Sequence, residues 1–269
     1  MKFPYIKLSK CISTLSYLRN FVLWTCPVCG TFQYGRKTPV CASCMLEAPL
    51  YRDVDVHCNA IVRALHSVID AKAGGALFHY NRFDKFHVLI PLIKYYHEYE
   101  LAGILGEWLC TKLKISEWEE HIDVIVPVPM NKRRAKVYGY NQVELIARGI
   151  SKHLGCPVES WLVRQDELSS QTKVNVNERT ERVMALQAHI PEEDKGKTVL
   201  LVDDVMTTGS TLRQCANAIV QADPSVTLCV CVVASVLPVI DSPDYKPNVT
   251  TDGGESSEMA FHYVESFDE

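Results

Sequence analysis

No apolar run in this 269-residue chain approaches the ~20 residues a membrane helix needs, which sets aside a membrane-spanning helical protein. Strong charge of either sign is also missing. The net charge is −4, and it is unevenly spread. Residues 241–269 hold eight acids and one Lys, leaving residues 1–240 with 27 basic and 24 acidic side chains. A mildly basic body with an acidic tail does not by itself imply nucleic-acid binding. There is no internal repeat and no low-complexity tract. With 47% hydrophobic and 22% charged residues, disordered and collagen-like chains are excluded. No export signal is visible, because the apolar stretch at residues 21–24 is too short for a signal core. A reducing, cytoplasmic setting is therefore expected.

Cysteine, by contrast, is abundant: eleven residues, four of them in two CxxC pairs. In a reducing compartment such pairs read as metal ligands rather than disulfides. Cys26-Pro27-Val28-Cys29 and Cys41-Ala42-Ser43-Cys44 are separated by eleven residues. Each loop presents two thiolates, and two loops complete a closed tetrahedral zinc site with no open position for catalysis. Gly30 suits the tight turn after the first pair. So small a segment buries little core, so the metal would supply its folding free energy. A thioredoxin-like redox pair lacks the surrounding strand–helix–strand pattern. Cys58 and the other cysteines have no ligand spacing and are expected to be buried.

Four units are expected along the chain. Residues 1–23 form an N-terminal helix whose apolar face (Ile6, Leu15, Leu18, Val22) packs on the next unit. Residues 24–58 form the four-cysteine ribbon, 59–240 an α/β domain, and 241–269 an acidic flexible tail. Within the α/β domain, residues 61–80 read as two strands turning at Gly74-Gly75. Helices follow at 83–97 and 99–114. Then come a buried strand at 122–128, a helix at 140–154 and a short strand at 161–163. A polar stretch over 164–178 and a candidate helix at 178–187 precede a buried strand at 198–202. A helix at 210–222 and a buried strand at 226–236 complete the domain. Continuous apolar strands separated by helices predict a mostly parallel sheet covered on both faces.

The most specific segment is Val199-Leu200-Leu201-Val202-Asp203-Asp204-Val205-Met206-Thr207-Thr208-Gly209-Ser210-Thr211. A buried strand ends in two carboxylates, and a hydroxyl-rich loop then opens a helix. Ligands in open α/β sheets sit beyond the carboxyl ends of the strands. A helix start offers free N–H groups and a positive dipole end to a phosphate. Gly209 permits close backbone approach, while Thr207, Thr208, Ser210 and Thr211 add donors. Asp203 and Asp204 can accept hydrogen bonds from paired sugar hydroxyls. The run predicts a ribose 5-phosphate subsite. It is not a Walker A loop, since it lacks Gly-Lys-Ser/Thr. A capped helix with surface acids would account for one Asp but not for the whole run.

This segment resembles the phosphoribosyl pyrophosphate (PRPP) signature of type I phosphoribosyltransferases. Other segments narrow the likeness. Ile125-Val126-Pro127-Val128-Pro129 ends a strand, and Tyr138-Gly139-Tyr140-Asn141-Gln142 begins a helix. Upstream lie Ile93-Lys94-Tyr95-Tyr96 and Leu101-Ala102. With the cysteine pairs, these resemble the ComF family of competence protein F relatives, a zinc ribbon fused to a phosphoribosyltransferase domain. The likeness spans residues 20–238 and extends, more distantly, to the transferase half of glutamine PRPP amidotransferases.

The resemblance implies structural zinc at Cys26, Cys29, Cys41 and Cys44, and PRPP bound with Mg2+. It implies that Asp203 and Asp204 hold the ribose at the catalytic centre and that residues 207–211 wrap the 5-phosphate. A nitrogen acceptor would displace pyrophosphate at C1 of the ribose. ComF relatives carry Arg before the Gly-aromatic-Asn-Gln run, where this chain has Tyr138. Arg133, Arg134, Lys136 or Lys94 is left to bind pyrophosphate. Residues 164–182 resemble the loop that closes over PRPP, with Arg164, Gln171, Lys173 and Arg179 as candidates. The family name also implies an alternative: a non-catalytic PRPP-binding accessory of competence, with single-stranded DNA or competence-machinery proteins as partners. Membrane insertion is not expected. The oligomeric state is left open.

Overall fold

The computed structural model describes residues 23–34, 38–51, 55–66, 69–130, 139–164 and 186–237. The expected N-terminal helix, the acidic tail and most of the polar 164–182 stretch lie outside the described residues.

A central sheet of four parallel strands carries the fold. The strands are β3 (Ala71–His79), β4 (Val124–Pro127), β7 (Thr198–Met206) and β8 (Thr227–Ser235), in the order β3-β8-β7-β4. Two antiparallel strand pairs accompany it: β1 (Leu23–Thr25) with β2 (Phe32–Tyr34), and β5 (Leu162–Arg164) with β6 (Leu186–Ala188). The helices are α1 (Ala42–Leu46), α2 (Ala60–His66), α3 (Leu89–Tyr95), α4 (Tyr99–Leu113), α5 (Gln142–Leu154) and α6 (Ser210–Ala222). Alternation along β7 and β8 sends side chains to opposite faces. Leu200, Val202, Cys229 and Cys231 join one apolar cluster, while Val199, Leu201, Leu228 and Val230 join another. Helices α3, α4 and α5 cover the first face; α2 and α6 cover the second. This is the expected parallel sheet with helices on both faces.

Three local expectations change. Residues 61–80 are one helix and one strand, not two strands. Asn59 caps α2 by accepting from the backbone N–H groups of Ile61 and Val62, each at 3.0 Å. Gly74 and Gly75 lie inside β3 rather than at a turn, because the strand is crowded. A Cβ at 74 would meet the Val230 carbonyl at 3.0 Å, and one at 75 would meet Leu113 at 3.0 Å. Residues 186–188 are strand rather than helix, and pair with β5. β7 also runs through the acid pair to Met206, because β8 pairs with it over that whole length.

The ribbon has little core of its own, as expected, and shares that of the α/β body. Trp24, Cys26, Val40, Cys41 and Cys44 sit in the same cluster as Phe78, Phe86, Leu89, Ile90 and Ile93 of the α/β body. The chain leaving the ribbon also pairs with the sheet edge. The backbone N–H of His79 donates to the Pro49 carbonyl at 2.8 Å, and that of Tyr51 to the Leu77 carbonyl at 3.0 Å. Lys85 adds an ion pair to Glu47.

Candidate functional site

The four ribbon cysteines converge. Their sulfurs all lie within 4.8 Å of one another, with Cys29 and Cys41 sulfurs 3.6 Å apart. A tetrahedron with ~2.3 Å zinc–sulfur bonds has edges of about 3.8 Å, so the cluster fits such an ion. β1 and β2 bring up the first pair. Gly30, at φ +74°, turns the backbone so that its N–H reaches the Cys26 carbonyl at 2.9 Å. The start of α1 brings up the second pair, and the Cys41 N–H donates to Cys26 Sγ at 3.3 Å. Burial raises the Cys26 thiol, while the Thr31 hydroxyl beside Cys29 lowers that thiol to about 6. The expected buried role holds for Cys110, Cys156, Cys215, Cys229 and Cys231, but Cys58 is exposed.

The second constellation lies at the carboxyl ends of the strands. Asp203 and Asp204 stand near the end of β7 and are both buried. The Asp204 N–H donates to Asp203 Oδ1 at 2.8 Å. Two residues from distant parts of the chain meet Asp204. Lys94, in the last turn of α3, places its ammonium 3.1 Å from Oδ1. Gln142, the first residue of α5, donates through Nε2 to Oδ2 at 2.5 Å. Burial, reinforced by the Asp204 carboxylate, pushes the Asp203 carboxyl up to about 7. The Asp204 N–H, Lys94 and Arg164 pull the other way but do not cancel it. Burial alone would lower the Lys94 ammonium; the carboxylates of Asp204 and Asp203 outweigh it and hold it above the ordinary lysine value.

Local structure explains how these groups arrive. Asn141 caps α5: its Oδ1 accepts from Val143 N–H at 3.1 Å, and its Nδ2 donates to the Val128 carbonyl at 3.1 Å. The start of α5 is thereby tied to the end of β4, which fixes Gln142. The Tyr140 hydroxyl donates to the Ile93 carbonyl, one residue from Lys94. Tyr140 also packs edge-on against Tyr99, with centroids 4.4 Å apart.

The loop after β7 leads from the acid pair into α6. Thr207, Thr208 and Ser210 are exposed, Thr211 is half-buried, and Ser210 opens α6. Gly209 sits at φ +76°, and a Cβ there would fall 2.7 Å from Met206 Cε. That methyl ends a flexible side chain and can move, so the dihedral is the larger barrier to substitution. Ser210 N–H reaches Thr208 Oγ1 at only 3.4 Å, a weak bond that leaves the helix start available to an anion.

Of the sequence candidates, Asp203, Asp204 and Lys94 are thus gathered, and Thr207, Thr208, Gly209, Ser210 and Thr211 follow directly from β7. Arg164 ends β5, near enough for its charge to act on Asp203. Arg133, Arg134, Lys136, Gln171, Lys173 and Arg179 lie outside the described residues. Sequence reading missed a role for Gln142. Its signal was a polar residue directly after a capping Asn and before the apolar face of a helix, a position that points inward.

The fold and this site define a phosphoribosyltransferase-type domain, and comparison agrees. A model of the phosphoribosyl transferase domain matches residues 144–250. Competence protein ComFC of Bacillus subtilis (strain 168) is 25% identical over 214 residues, covering 78% of each chain. DNA utilization protein YhgH of Salmonella typhi is 25% identical over 201 residues, 73% of this chain and 78% of that relative. A solved glutamine PRPP amidotransferase from B. subtilis, complexed with ADP and GMP, is 23% identical with a TM-score of 0.32. The alignment covers 48% of this chain but only 25% of that one, and the likeness adds no weight. The chain is therefore similar to competence and DNA-utilization proteins, with a phosphoribosyltransferase-type domain preceded by a four-cysteine cluster with the geometry of a zinc ribbon.

Proposed function

We propose that this protein binds PRPP at the carboxyl end of its sheet and transfers the phosphoribosyl group to a nitrogen acceptor. The supporting observation is the order of groups at one place: two buried carboxylates, then exposed hydroxyls, then a left-handed Gly at a helix start. Asp203 and Asp204 face the ribose hydroxyls, and residues 207–211 hold the 5-phosphate. Lys94 leaves Asp204 as the sugar enters and turns to the pyrophosphate. Arg164 adds positive charge, as do Arg133, Arg134, Lys136, Lys173 and Arg179.

In the reaction, the C1–oxygen bond breaks and pyrophosphate departs with the electron pair. A C1–nitrogen bond forms, and the acceptor nitrogen loses its proton to solvent. Asp203 and Asp204 offer the hard, anionic oxygen donors that suit Mg2+, which would neutralise pyrophosphate oxygens when bound with PRPP. The protein contributes position and charge neutralisation. Zinc in the ribbon is structural, since four thiolates close the site.

A second reading keeps the PRPP site without turnover. It is favoured by the relatives' names, a competence protein and a DNA utilization protein. Its partners would be single-stranded DNA or competence-machinery proteins. Calorimetric titration with PRPP and Mg2+ tests what both readings share. Isotope exchange between pyrophosphate and PRPP, across a panel of nucleobases and amines, separates them: exchange supports transfer, and binding without exchange supports the accessory role.

A further inference from the structure

Gln142 is 8% exposed, yet half of its amide meets no partner among the described residues. The orientation of that amide is set by its neighbour. An ionised carboxylate only accepts hydrogen bonds, so the NH2 end faces Asp204 Oδ2, at 2.5 Å. The carbonyl end, Oε1, is shut off from solvent and has no partner among the described residues. Burying an acceptor without a donor costs free energy, and native structures rarely tolerate it away from a ligand or bound water. Each oxygen of Asp204 already meets one donor, Lys94 on Oδ1 and Gln142 on Oδ2. The local surplus is therefore one acceptor, beside a carboxylate whose other oxygen is covered by a displaceable ammonium. A vicinal diol matches this arrangement. One hydroxyl replaces Lys94 on Asp204, and the neighbouring hydroxyl donates to Gln142 Oε1.

We propose that Gln142 reads the sugar, its side-chain carbonyl accepting a hydrogen bond from one ribose hydroxyl, so that the site distinguishes ribosyl from deoxyribosyl phosphates. This rests on the phosphoribosyl reading above. It adds a residue outside the acid and hydroxyl run, and outside residues 144–250 where the domain model matches. The choice of Gln follows from the chemistry. Glu would place a third carboxylate against Asp203 and Asp204. Asn would fall one methylene short of Oδ2. Met would fill the space and accept nothing comparable.

The test is calorimetric affinity for ribose 5-phosphate, 2-deoxyribose 5-phosphate and 3-deoxyribose 5-phosphate, using the full chain. The wild type should prefer ribose 5-phosphate over at least one deoxy sugar by about tenfold, the worth of one hydrogen bond in a site built for it. Gln142→Met should still bind through the 5-phosphate, with the preference over one of the two deoxy sugars falling to about twofold or less while Asp204 keeps the preference over the other. Gln142→Asn serves if the Met variant does not fold, and should lose the preference in the same way. A wild type that binds ribose 5-phosphate with no preference over either deoxy sugar overturns the inference alone. So does a folded Met or Asn variant in which the preferences over both deoxy sugars equal those of the wild type. A wild type that binds neither sugar phosphates nor PRPP overturns the phosphoribosyl reading itself.

Discussion

The ribbon and the acid–hydroxyl loop are both short, contiguous motifs, but they depend on the fold to different degrees. The four thiols span nineteen residues, Cys26 to Cys44, and reach one another through local turns. The acid pair is complete only when Lys94 and Gln142 arrive from 110 and 62 residues away from Asp204. A motif whose members lie within one or two turns is specified by local backbone geometry. A site whose members converge from separate helices is specified by packing. The two regions nevertheless touch through the core. The ribbon shares its cluster with α3, which carries Lys94, whereas Met206 and Leu212, flanking the 207–211 loop, belong to the cluster on the opposite face.

The sharpest way to break the comparison is to unmake the ribbon. Elemental analysis should find one zinc per chain. Cys41→Ser, or chelation, should lower the melting temperature of the whole domain, since structural zinc contributes roughly 10 kcal/mol or more in small sites and Cys41 is buried in the shared core. Cys26→Ser should act likewise, and neither is confined to the ribbon. In protein that remains folded, PRPP affinity should fall more than ribose 5-phosphate affinity. Lys94 loses its support on the ribbon face, while the phosphate loop keeps its own. Equal losses for both ligands would mean that the two faces are not separable.

Replacing both acids comes next. Asp203→Asn with Asp204→Asn removes charged acceptors worth roughly 1.5–3 kcal/mol each, so PRPP affinity should drop at least tenfold. Unchanged affinity on calorimetry would move the ribose elsewhere. Gly209→Val attacks the other half of the site. The strain of a β-branched residue at positive φ should cost about 1–3 kcal/mol of stability. In a thermal-shift assay, the wild type should gain melting temperature with ribose 5-phosphate, and the variant should gain none. A normal shift in the variant would place the phosphate on the basic 131–136 stretch.

The smallest expected effect is on pH dependence. The Asp203 carboxyl is raised to about 7 by burial and by Asp204, against an ordinary value of 3.8. Between about pH 4 and 7 the unfolded chain ionises this group while the folded chain keeps its proton. The ligand-free protein therefore loses stability from this group as pH rises through that window, with no further loss above it. Asp203→Asn removes the dependence. Its melting temperature relative to wild type should climb from pH 4 to 7 and then level off. A constant difference across that range would mean that Asp203 titrates normally.

Much of the site was legible before the fold. Residues 199–211 alternate little, end in charge and restart at a helix, and Ser210–Ala222 is a helix over the bounds expected. The Gly74-Gly75 misreading shows the limit. A glycine pair signals a turn locally, yet here it answers to Val230 and Leu113, residues the local pattern does not include. Gln142 ends the Tyr138–Gln142 run with no role legible in it, because what distinguishes it is a bond to Asp204, and no local periodicity encodes a partner 62 residues away.

The sequence by itself determined the contiguous chemistry: two cysteine knuckles, a buried strand ending in acids, a hydroxyl-rich turn with Gly at the helix start. Those follow from ligand spacing, strand hydrophobicity and backbone conformational freedom, all of which act over a few residues. Only the tertiary structure decided that the ribbon shares a core with α3, that Lys94 lies on Asp204, and that Gln142 holds the same carboxylate while its own carbonyl oxygen has no partner among the described residues. The reason is that these are contacts between elements. They are set by how helices on both faces bury a parallel sheet, and that choice is made by the whole core at once.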